Sequence, residues 1–362
     1  MLRMTQYVRD SIEMKDVRPS SMSVCIWNFT DVCNLHCKHC YASAGYGSGN
    51  RQDLEEIKTI LPQLRAAGFK IVILSGGEPL TRPDIFEVAS AIKAAGMSTS
   101  LSTNGILINE GNIERIRDNF NYVGISIDGS PEIHDSFRGM EGASKMSLKA
   151  LRLCMENGIE AGLRFTLSAL THQSLPYIFS LVKSEGIPKL YISHLVSSGR
   201  AGDITPLDLK TYRKSVDFII GQVFEFYEKG IPVKVVSGNN DSEAVILLSS
   251  FKDKYRKSYD NLYERLRTWG GNQAGVRLVN INNSADVKPD PFFLYSMGNL
   301  RSSSFTKLWN SEGLLSELRR KPRKLKGRCG NCTYLDLCNG NSRARAFAVT
   351  GDYFAEDPAC II

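Results

Sequence analysis

Short apolar runs alternate with longer amphipathic stretches between residues 23 and 195. The apolar runs are SVCIWNF (23–29), KIVILS (70–75), MSTSLS (97–102), YVGISID (122–128), IEAGLRFTL (159–167) and KLYISHL (189–195). Each run has the length and composition of a buried β-strand. The stretch after the first run begins at Asp53, a typical helix N-cap, keeps its leucines and isoleucines on one face and ends at Gly68. Strands that alternate with such helices predict a parallel sheet with right-handed crossovers.

The six units predict an α/β fold, a partial (β/α)6 TIM-type barrel over residues 23–200 that follows an N-terminal extension of residues 1–22. Beyond the barrel, two long helical patterns predict a helical linker region over residues 201–275. A hairpin, a helix and a cysteine-rich tail then predict a small α+β domain over residues 276–362. Functional residues of such barrels lie at the carboxyl ends of the strands.

The composition is ordinary for a globular protein, with 42% hydrophobic and 23% charged residues in a chain of 362. No apolar run approaches the roughly 20 residues that cross a bilayer. The N-terminus lacks the apolar segment of a signal peptide. We therefore expect a cytoplasmic protein without a membrane partner.

The net charge of +7 is concentrated in one segment. Residues 319–328, RRKPRKLKGR, carry seven Lys or Arg in ten positions. Such runs are usually solvated surface, but they also bind nucleic acids or ligands with several carboxylates. No nucleic-acid-binding motif accompanies the run, so we expect no nucleic-acid partner.

Seven of the nine cysteines fall into two groups, which indicates metal ligation rather than disulfide bonds. The first group is Cys33, Cys37 and Cys40, and the second is Cys329, Cys332, Cys338 and Cys360. The two others, Cys25 in an apolar strand and Cys154 in a helix, are predicted to be buried, unreactive thiols.

The first group follows the first strand with the spacing Cys-x3-Cys-x2-Cys. Three thiolates on one loop can hold three irons of a [4Fe–4S] cubane and leave the fourth iron open to another ligand. A structural zinc site takes four protein ligands, and His36 or His39 could complete such a set. The spacing favours the cubane, with zinc as the alternative.

Glycines and polar residues occur at the ends of the following strands. The second strand ends in Gly76, Gly77, Glu78 and Pro79. The next two strands end near Ser102, Asn104, Ser126 and Asp128. Glycines allow the backbone to approach a ligand closely. Arg164, within the fifth strand, needs an anionic partner, which is either a carboxylate of a ligand or an acidic residue of the core.

The second cysteine group has the spacing Cys-x2-Cys-x5-Cys-x21-Cys. Four cysteines can complete the coordination of one [4Fe–4S] cluster without an open site, or they can hold a structural zinc ion. Beside the first group, they favour an auxiliary iron–sulfur cluster.

These motifs together resemble the radical S-adenosylmethionine (SAM) enzymes that carry a SPASM/Twitch-type C-terminal domain. The resemblance implies two [4Fe–4S] clusters, one that binds SAM at Cys33, Cys37 and Cys40, and an auxiliary one at the second group. Full SPASM domains use seven cysteines for two clusters, so four cysteines imply a single auxiliary cluster. The implied SAM site consists of Tyr41, Gly76, Gly77, Glu78, Pro79, Ser102, Asn104, Ser126, Asp128, Arg164 and Val196.

Longer segments resemble the tetrapyrrole-modifying branch of this family, the NirJ- and AhbC-type enzymes of haem d1 biosynthesis and of the alternative haem pathway. They include SIDGSPEIHDSFRG, WGGNQAGV and CNGNSRARAFAVTGDYFAEDPAC. The resemblance implies that a 5′-deoxyadenosyl radical abstracts hydrogen from a side chain of an iron-tetrapyrrole, 12,18-didecarboxysiroheme. Oxo groups then replace propionates. It also implies a reducing partner such as ferredoxin or flavodoxin.

Two other reactions fit the same motifs. AhbC-type enzymes remove acetate side chains from the same precursor, and the choice depends on which edge of the ring faces the radical. Peptide-modifying SPASM maturases are the second alternative, although the 32 residues before Cys33 are few for a peptide-recognition domain.

The chemistry of a tetrapyrrole indicates what its binding site requires. The ring is a wide apolar disc with carboxylates along its edge, so its site needs apolar walls and cations at the rim. Arg200, Arg343, Arg345 and the 319–328 run are the candidate cations. His134 and His194 are candidates for a proton donor.

Overall fold

The computed structural model describes residues 1–15, 22–47 and 51–362, and its main feature is a single sheet of ten strands in that part of the chain. Residues 16–21 of the expected N-terminal extension lie outside the described residues. The strands are β1 (Ser23–Asn28), β2 (Phe69–Ser75), β3 (Ser98–Thr103), β4 (Tyr122–Ser126), β5 (Ala161–Leu167), β6 (Lys189–His194), β7 (Lys234–Gly238), β8 (Leu278–Asn282), β9 (Asp286–Lys288) and β10 (Gly298–Asn299). The first seven helices are α1 (Met4–Ile12), α2 (Leu54–Ala66), α3 (Ile85–Ala94), α4 (Ile113–Asn119), α5 (Pro131–Arg138), α6 (Ala143–Glu156) and α7 (Leu175–Ser184). The others are α8 (Leu209–Glu228), α9 (Glu243–Lys254), α10 (Tyr259–Trp269), α11 (Phe305–Trp309), α12 (Leu314–Arg319), α13 (Leu335–Cys338) and α14 (Arg343–Thr350).

The sheet confirms the α/β class and the parallel core expected from the sequence. Strands β1 to β7 are neighbours in chain order, and each pair is parallel. The crossovers are amphipathic helices such as α2, where the Asp53 side chain accepts a hydrogen bond from Glu56 N at 2.8 Å. This reciprocal cap fixes the start of the helix at the residue predicted from the pattern.

The parallel sheet extends beyond the six strands predicted. Strand β7 lies within residues 201–275, the region expected to be a helical linker, and pairs in parallel with β6. Strand β8 pairs in parallel with β1 at the other end. Strand β7 has five residues between helices of 20 and 12 residues, α8 and α9, so helical periodicity dominates the sequence around it.

The N-terminal residues cover the outer edge of β7. Leu2 and Ser237 exchange two backbone hydrogen bonds of 2.8 Å, and α1 packs against β7, α8 and α10. A covered edge does not expose unpaired N–H and C=O groups to other chains. The first residues of the chain therefore form part of the barrel wall between β7 and β8.

The C-terminal region continues the same sheet through the antiparallel strands β9 and β10, which follow β8. A hydrophobic core runs from the barrel into this region and includes Trp27, Phe69, Phe305 and Trp309. Within residues 1–15, 22–47 and 51–362, no helix has both the length and the apolar character needed to span a membrane.

Candidate active site

Every strand from β1 to β8 contributes lining residues to one cavity of about 310 Å³. Of the three cysteines and eleven SAM-binding residues predicted at the strand ends, twelve line this cavity. They are Cys33, Cys37, Cys40, Tyr41, Gly76, Gly77, Glu78, Ser102, Asn104, Ser126, Arg164 and Val196. Pro79 and Asp128 are not among the lining residues. The fold therefore brings most of the predicted site together.

The loop after β1 places the first three cysteines against the cavity as free thiols. Leu35 N donates to Cys33 Sγ at 3.4 Å, and Ala44 N donates to Cys40 Sγ at 3.4 Å. Such donors favour the thiolate that iron requires. Burial raises the pKa of Cys33 to about 12, so loss of its proton is coupled to metal binding.

The backbone of Gly76 and Gly77 packs directly against the cysteine loop. Gly77 N donates to Thr30 O at 2.7 Å, and Glu78 N donates to Val32 O at 2.8 Å. A Cβ atom on Gly77 would lie 2.0 Å from Val32 O. At Gly76 the φ angle is +134°, which also favours glycine. The glycines therefore position the loop that carries the three cysteines.

We expect Gly77→Ala to displace this loop and to slow deoxyadenosine formation from SAM by roughly tenfold or more, since overpacking costs about 1–3 kcal/mol. The matched control is Gly221→Ala in α8, where an added Cβ meets no atom within 4 Å. The control should retain activity and gain about 0.5–1 kcal/mol of stability. Equal activity of the two purified, iron-loaded variants would contradict the packing argument.

Glu78 connects the ends of β2 and β3 to the cysteine loop. Its buried carboxylate accepts hydrogen bonds from Thr103 Oγ1 at 2.7 Å, Asn104 N at 2.8 Å and Leu80 N at 3.1 Å. Asn104 Nδ2 in turn donates to Asn34 Oδ1 at 2.8 Å. Burial raises the pKa of Glu78 despite these donors. Glu78 therefore serves as an internal anchor as well as a lining residue.

Asp128 is fully buried and forms an ion pair with Arg138, a residue that the sequence analysis did not select. Arg138 Nε donates to Asp128 Oδ2 at 2.7 Å, and Thr166 N donates to Oδ1 at 2.7 Å. Burial disfavours the charged carboxylate, but Arg138, the two nearby histidines and the Thr166 N–H together outweigh it and lower the pKa of Asp128. Because both oxygens have partners within the protein, the arrangement does not support a direct contact of Asp128 with SAM. Arg138 Nη1 lies 3.7 Å from Cys37 Sγ, so Asp128 holds a positive charge beside a cluster ligand.

Tyr41, on the cysteine loop, and Arg164, in β5, both line the cavity. Tyr41 Oη donates to Asn28 Oδ1 at 3.2 Å, and its ring packs 5.1 Å from the ring of Phe292. The Arg164 guanidinium lies 4.7 Å from the ring centroid of Tyr191. In the part of the chain that the structure describes, Arg164 has no acidic ion-pair partner. Its charge is therefore available to an anionic ligand in the cavity.

The histidines around the cavity make packing contacts. His39 stacks on Phe137 with ring centroids 4.0 Å apart, and burial lowers its pKa to about 3. His194 Nε2 lies 2.8 Å from Glu243 Oε1 of α9, and its ring packs against Tyr212 of α8. His194 therefore contacts the helices outside the sheet, which does not favour it as a proton donor to a ligand in the barrel.

The second cysteine group lies together near the chain end and comprises Cys329, Cys332, Cys338 and Cys360. Burial raises the pKa of Cys338 to about 12, and the nearby thiols of Cys332 and Cys360 add to this effect. A Cβ atom on Gly271 would lie 2.2 Å from the Cys338 backbone, and Asn272 N donates to Cys338 O at 3.2 Å. The WGGN segment therefore supports the backbone of one of these cysteines.

Arg343 and Arg345, expected as cations for a substrate, are buried inside the C-terminal region. Arg343 Nη1 donates to Tyr353 O at 3.0 Å. Arg345 makes a two-pronged ion pair with Asp357, with both N–O distances 2.8 Å, and donates to Asn239 O at 2.9 Å. The expectation that these two residues bind substrate is wrong, because both side chains are buried in the C-terminal region and neither lines the cavity.

The basic run 319–328 is partly buried as well. Arg323 is 2% exposed and donates to Asn339 O at 3.0 Å. Arg328 pairs with Glu356 at 3.1 Å on the surface. Arg319 is half-buried and donates to Gly275 O at 2.8 Å. The run therefore links the C-terminal segments to one another.

Arg200 lines the cavity but supports the cysteine loop. Its Nε donates to Cys37 O at 2.9 Å, and its Nη1 donates to Ala44 O at 2.9 Å. The preceding Gly199 has a φ angle of +56°, and a Cβ there would lie 2.6 Å from Cys40 O. The close approach of β6 to this loop therefore requires glycine.

Asp241 and Asp290 are buried carboxylates of the cavity wall that the sequence analysis missed. Asp290 Oδ1 accepts hydrogen bonds from Phe292 N at 2.8 Å and Phe293 N at 3.2 Å. Burial nevertheless raises the pKa of Asp290 to about 7, and the charge of Asp241 adds to this. No sequence pattern indicates that two acids so distant along the chain share a cavity.

We expect Asp290→Asn to weaken the pH dependence of stability. The folded protein holds a proton at Asp290 that the unfolded chain loses near pH 4, so this residue lowers stability as the pH rises from about 4 to about 7. The slope is on the order of 1 kcal/mol per pH unit. The variant keeps an acceptor for the two backbone donors, and its melting temperature relative to wild type should be higher at pH 8 than at pH 5.5. A constant difference at both pH values would contradict this assignment.

The parallel barrel, with three thiols on the loop after its first strand, defines an iron–sulfur enzyme of the radical SAM type, and the chain belongs to the Radical SAM superfamily. The superfamily model matches residues 27–175, and the model of an iron-sulfur cluster-binding domain, SPASM, matches residues 276–333.

The chain is 39% identical over 353 residues to Pre-heme d1 synthase of Dinoroseobacter shibae, covering 95% of this chain and 87% of the relative. It is 35% identical over 375 residues to Fe-coproporphyrin III synthase of Methanosarcina barkeri, covering 99% and 93%. The native structure of anSMEcpe with bound AdoMet and a peptide shares the fold, with a TM-score of 0.71 over 94% of this chain and 93% of the other at 20% identity.

The first cysteine loop fits a [4Fe–4S] cluster better than a single metal ion. A zinc ion requires thiolates that converge to about 2.3 Å from one point, whereas a cubane is held at separate irons. Among the described residues, no group of three or more His, Cys, Asp or Glu side chains could hold a single metal ion. The three thiols nevertheless face one cavity, where Arg138 and backbone N–H groups favour their negative form.

Proposed function

We propose that this enzyme modifies the side chains of an iron-tetrapyrrole, 12,18-didecarboxysiroheme, and replaces propionates by oxo groups as in haem d1 biosynthesis. The observation that carries the proposal is the similarity to Pre-heme d1 synthase along nearly the whole chain. The cavity supports it, since its lining combines apolar side chains with several guanidinium groups. An apolar ring edged with carboxylates requires both.

Removal of acetate side chains from the same precursor is the second candidate. It is favoured by the similarity to Fe-coproporphyrin III synthase, which extends over 99% of this chain. The two outcomes need the same reactive centre and differ in the edge of the ring that is presented to it.

The chain prepares the reactive centre through a small set of contacts. When bound, the [4Fe–4S] cluster at the first cysteine group supplies the electron that cleaves SAM. Arg138 holds a positive charge 3.7 Å from Cys37 Sγ. Arg164 offers a guanidinium to the SAM carboxylate in the same cavity. The packing of Gly77 on Val32 keeps the cysteine loop against β2.

A second [4Fe–4S] cluster at Cys329, Cys332, Cys338 and Cys360 is part of this proposal. The four thiols lie near one another, and their backbone is supported by contacts from Gly271 and Asn272. A cytoplasmic reducing partner such as ferredoxin or flavodoxin would supply the electrons.

The test is anaerobic incubation of the reconstituted protein with SAM, dithionite and didecarboxysiroheme, followed by mass analysis of the porphyrin. Loss of propionates with gain of oxygen supports the first candidate. Loss of the whole acetate side chains without gain of oxygen supports the second. Deoxyadenosine release with an unchanged porphyrin would retain the radical chemistry and refute the tetrapyrrole substrate.

A further inference from the structure

The run of parallel strands ends at β7 on one side and at β8 on the other, and we call the gap between them, part of which the N-terminal residues cover, the lateral opening. These strands are not hydrogen-bonded to each other, since the neighbours of β8 are β1 and β9. The N-terminal segment and the residues before β8 line this opening, and both reach the central cavity. Side chains from these two segments can therefore contact a ligand in the central cavity, in addition to those at the carboxyl ends of the strands.

Two arginines at this opening, Arg3 and Arg277, have no ion-pair partner among the described residues. Both line the cavity and both are partly exposed. The side chain of Arg3 makes only a long contact of 3.5 Å with Gln6 Oε1. By contrast, the arginines deeper in the structure, such as Arg138 and Arg345, are paired with carboxylates.

The acids of the cavity do not neutralise these two charges. Glu78 is hydrogen-bonded to Thr103 and Asn104 at the carboxyl ends of the strands. Asp241 accepts a hydrogen bond from Asn272 at 3.2 Å; burial raises its pKa, and the charges that act against this rise are those of the Met1 amino group, Arg323 and Arg345. Asp290 accepts backbone hydrogen bonds from Phe292 and Phe293. The opening therefore carries an excess of positive charge.

This positive charge also affects the pKa values of neighbouring side chains. Burial lowers the pKa of Lys189, at the start of β6, to about 8, and the charges of Arg164 and Arg3 contribute. The charges of Arg3 and Arg277 also act together on Tyr7. Both arginines line the one central cavity, so a single ligand there can contact them together.

Arg277 lies at the opposite end of β1 from the SAM site. Arg277 immediately precedes β8, and its carbonyl accepts a hydrogen bond from Val24 N near the start of β1 at 2.8 Å. Cys33 lies beyond the other end of β1. The wall between the two ends is largely apolar and includes Val24, Ile26 and Leu278.

We propose that Arg3 and Arg277 bind carboxylates on the edge of the substrate ring that lies away from the cysteine loop. This inference rests on the proposed tetrapyrrole function and names the residues that orient the ring within it. A guanidinium pairs with a carboxylate through two parallel hydrogen bonds, so two such pairs fix both the position and the rotation of a disc. The two arginines thereby determine which side chain is presented to the SAM site.

The test measures binding of two ligands to the reconstituted enzyme by visible absorption. The ligands are didecarboxysiroheme and its fully methyl-esterified form, which has the same ring without carboxylates. Wild type should bind the acid at least about tenfold more tightly than the ester, given the usual strength of charged hydrogen bonds. Arg3→Gln and Arg277→Gln should each lose about tenfold in affinity for the acid and none for the ester.

The matched control is Arg256→Gln, which removes the same charge from an exposed position after α9 and should bind both ligands as wild type does. Deoxyadenosine release without substrate should equal that of wild type in Arg256→Gln, which lies outside the cavity lining. Arg3→Lys and Arg277→Lys keep the charge and should bind the acid with intermediate affinity, which keeps the test decisive if a Gln variant loses its iron.

Two results would overturn the inference while the proposed function stands. One is equal affinity of wild type for acid and ester, and the other is affinity of the Gln variants for the acid equal to that of Arg256→Gln. If wild type binds neither ligand, the tetrapyrrole function itself fails and the inference fails with it.

Discussion

Replacing Cys37 by Ala is expected to abolish SAM cleavage. Cys37 is the most enclosed of the three thiols on the loop, at 7% exposure, and it is the one that Arg138 contacts. A cubane with only two protein thiolates on this loop is not retained, and the electron for SAM cleavage is lost with it. Deoxyadenosine formation should fall by about three orders of magnitude or more, and iron should fall from about eight to about four atoms per chain.

The control for this variant is Cys154→Ala. Cys154 is a fully buried thiol of α6, where burial raises its pKa to about 12, and it does not line the cavity. Loss of this thiol should leave both the iron content and deoxyadenosine formation at the wild-type level. Similar losses in the two variants would mean that general destabilisation, rather than ligation, explains the effect of Cys37→Ala.

The parts of the site that were predictable depend on short stretches of sequence. Alternation of strands and helices indicates which residues stand at strand ends, and parallel strands place those ends at one edge of a sheet. The spacing of Cys33, Cys37 and Cys40 and the glycines at 76 and 77 are local patterns in this sense. Accordingly, the fold class and the family are confirmed, and most of the predicted residues share one cavity.

The arginines were not predictable, because a guanidinium takes its partners from distant segments. Arg138, Arg343 and Arg345 each stand near a helix end, and no neighbouring residue in the sequence indicates which partner each one takes. Arg138 pairs with Asp128 only because α5 folds back over the end of β4. Arg345 meets the carbonyl of Asn239, 106 residues away, and this contact exists only after β7 has joined the sheet.

Strand β7 is a second feature that the sequence pattern did not predict. Its segment, KVVSG, is too short to establish an alternation, and the parallel partner that stabilises it is β6. Once it is in place, β7 positions Asn239 and Asp241 against the cavity and gives Leu2 an edge to pair with. The lateral opening, where we place the substrate carboxylates, thus depends on β7, a strand that forms because it pairs with β6 and not because of its own sequence pattern.

Asp357→Asn is expected to destabilise the C-terminal region by about 3–5 kcal/mol, because it leaves the buried Arg345 guanidinium without its counter-charge. The carboxylate of Asp357 is fully buried and also accepts hydrogen bonds from Ser342 N at 2.8 Å and Ala359 N at 2.9 Å. The last of these contacts lies one residue before Cys360. Loss of the charge should therefore loosen a cluster ligand as well as the packing of α14.

The adjacent acid supplies a close control for this effect. Glu356 pairs with Arg328 at 3.1 Å on the surface, where both side chains are well solvated, so Glu356→Gln should cost far less stability than Asp357→Asn. Urea unfolding of the two variants measures the difference. Iron analysis should show that Asp357→Asn loses part of its auxiliary iron, while deoxyadenosine formation from SAM persists because the first cysteine loop is untouched. Equal stability of the two variants would mean that the Arg345–Asp357 pair does not hold the C-terminal region to the barrel. Full iron content in Asp357→Asn would mean that this pair is not needed for Cys360 to bind the cluster.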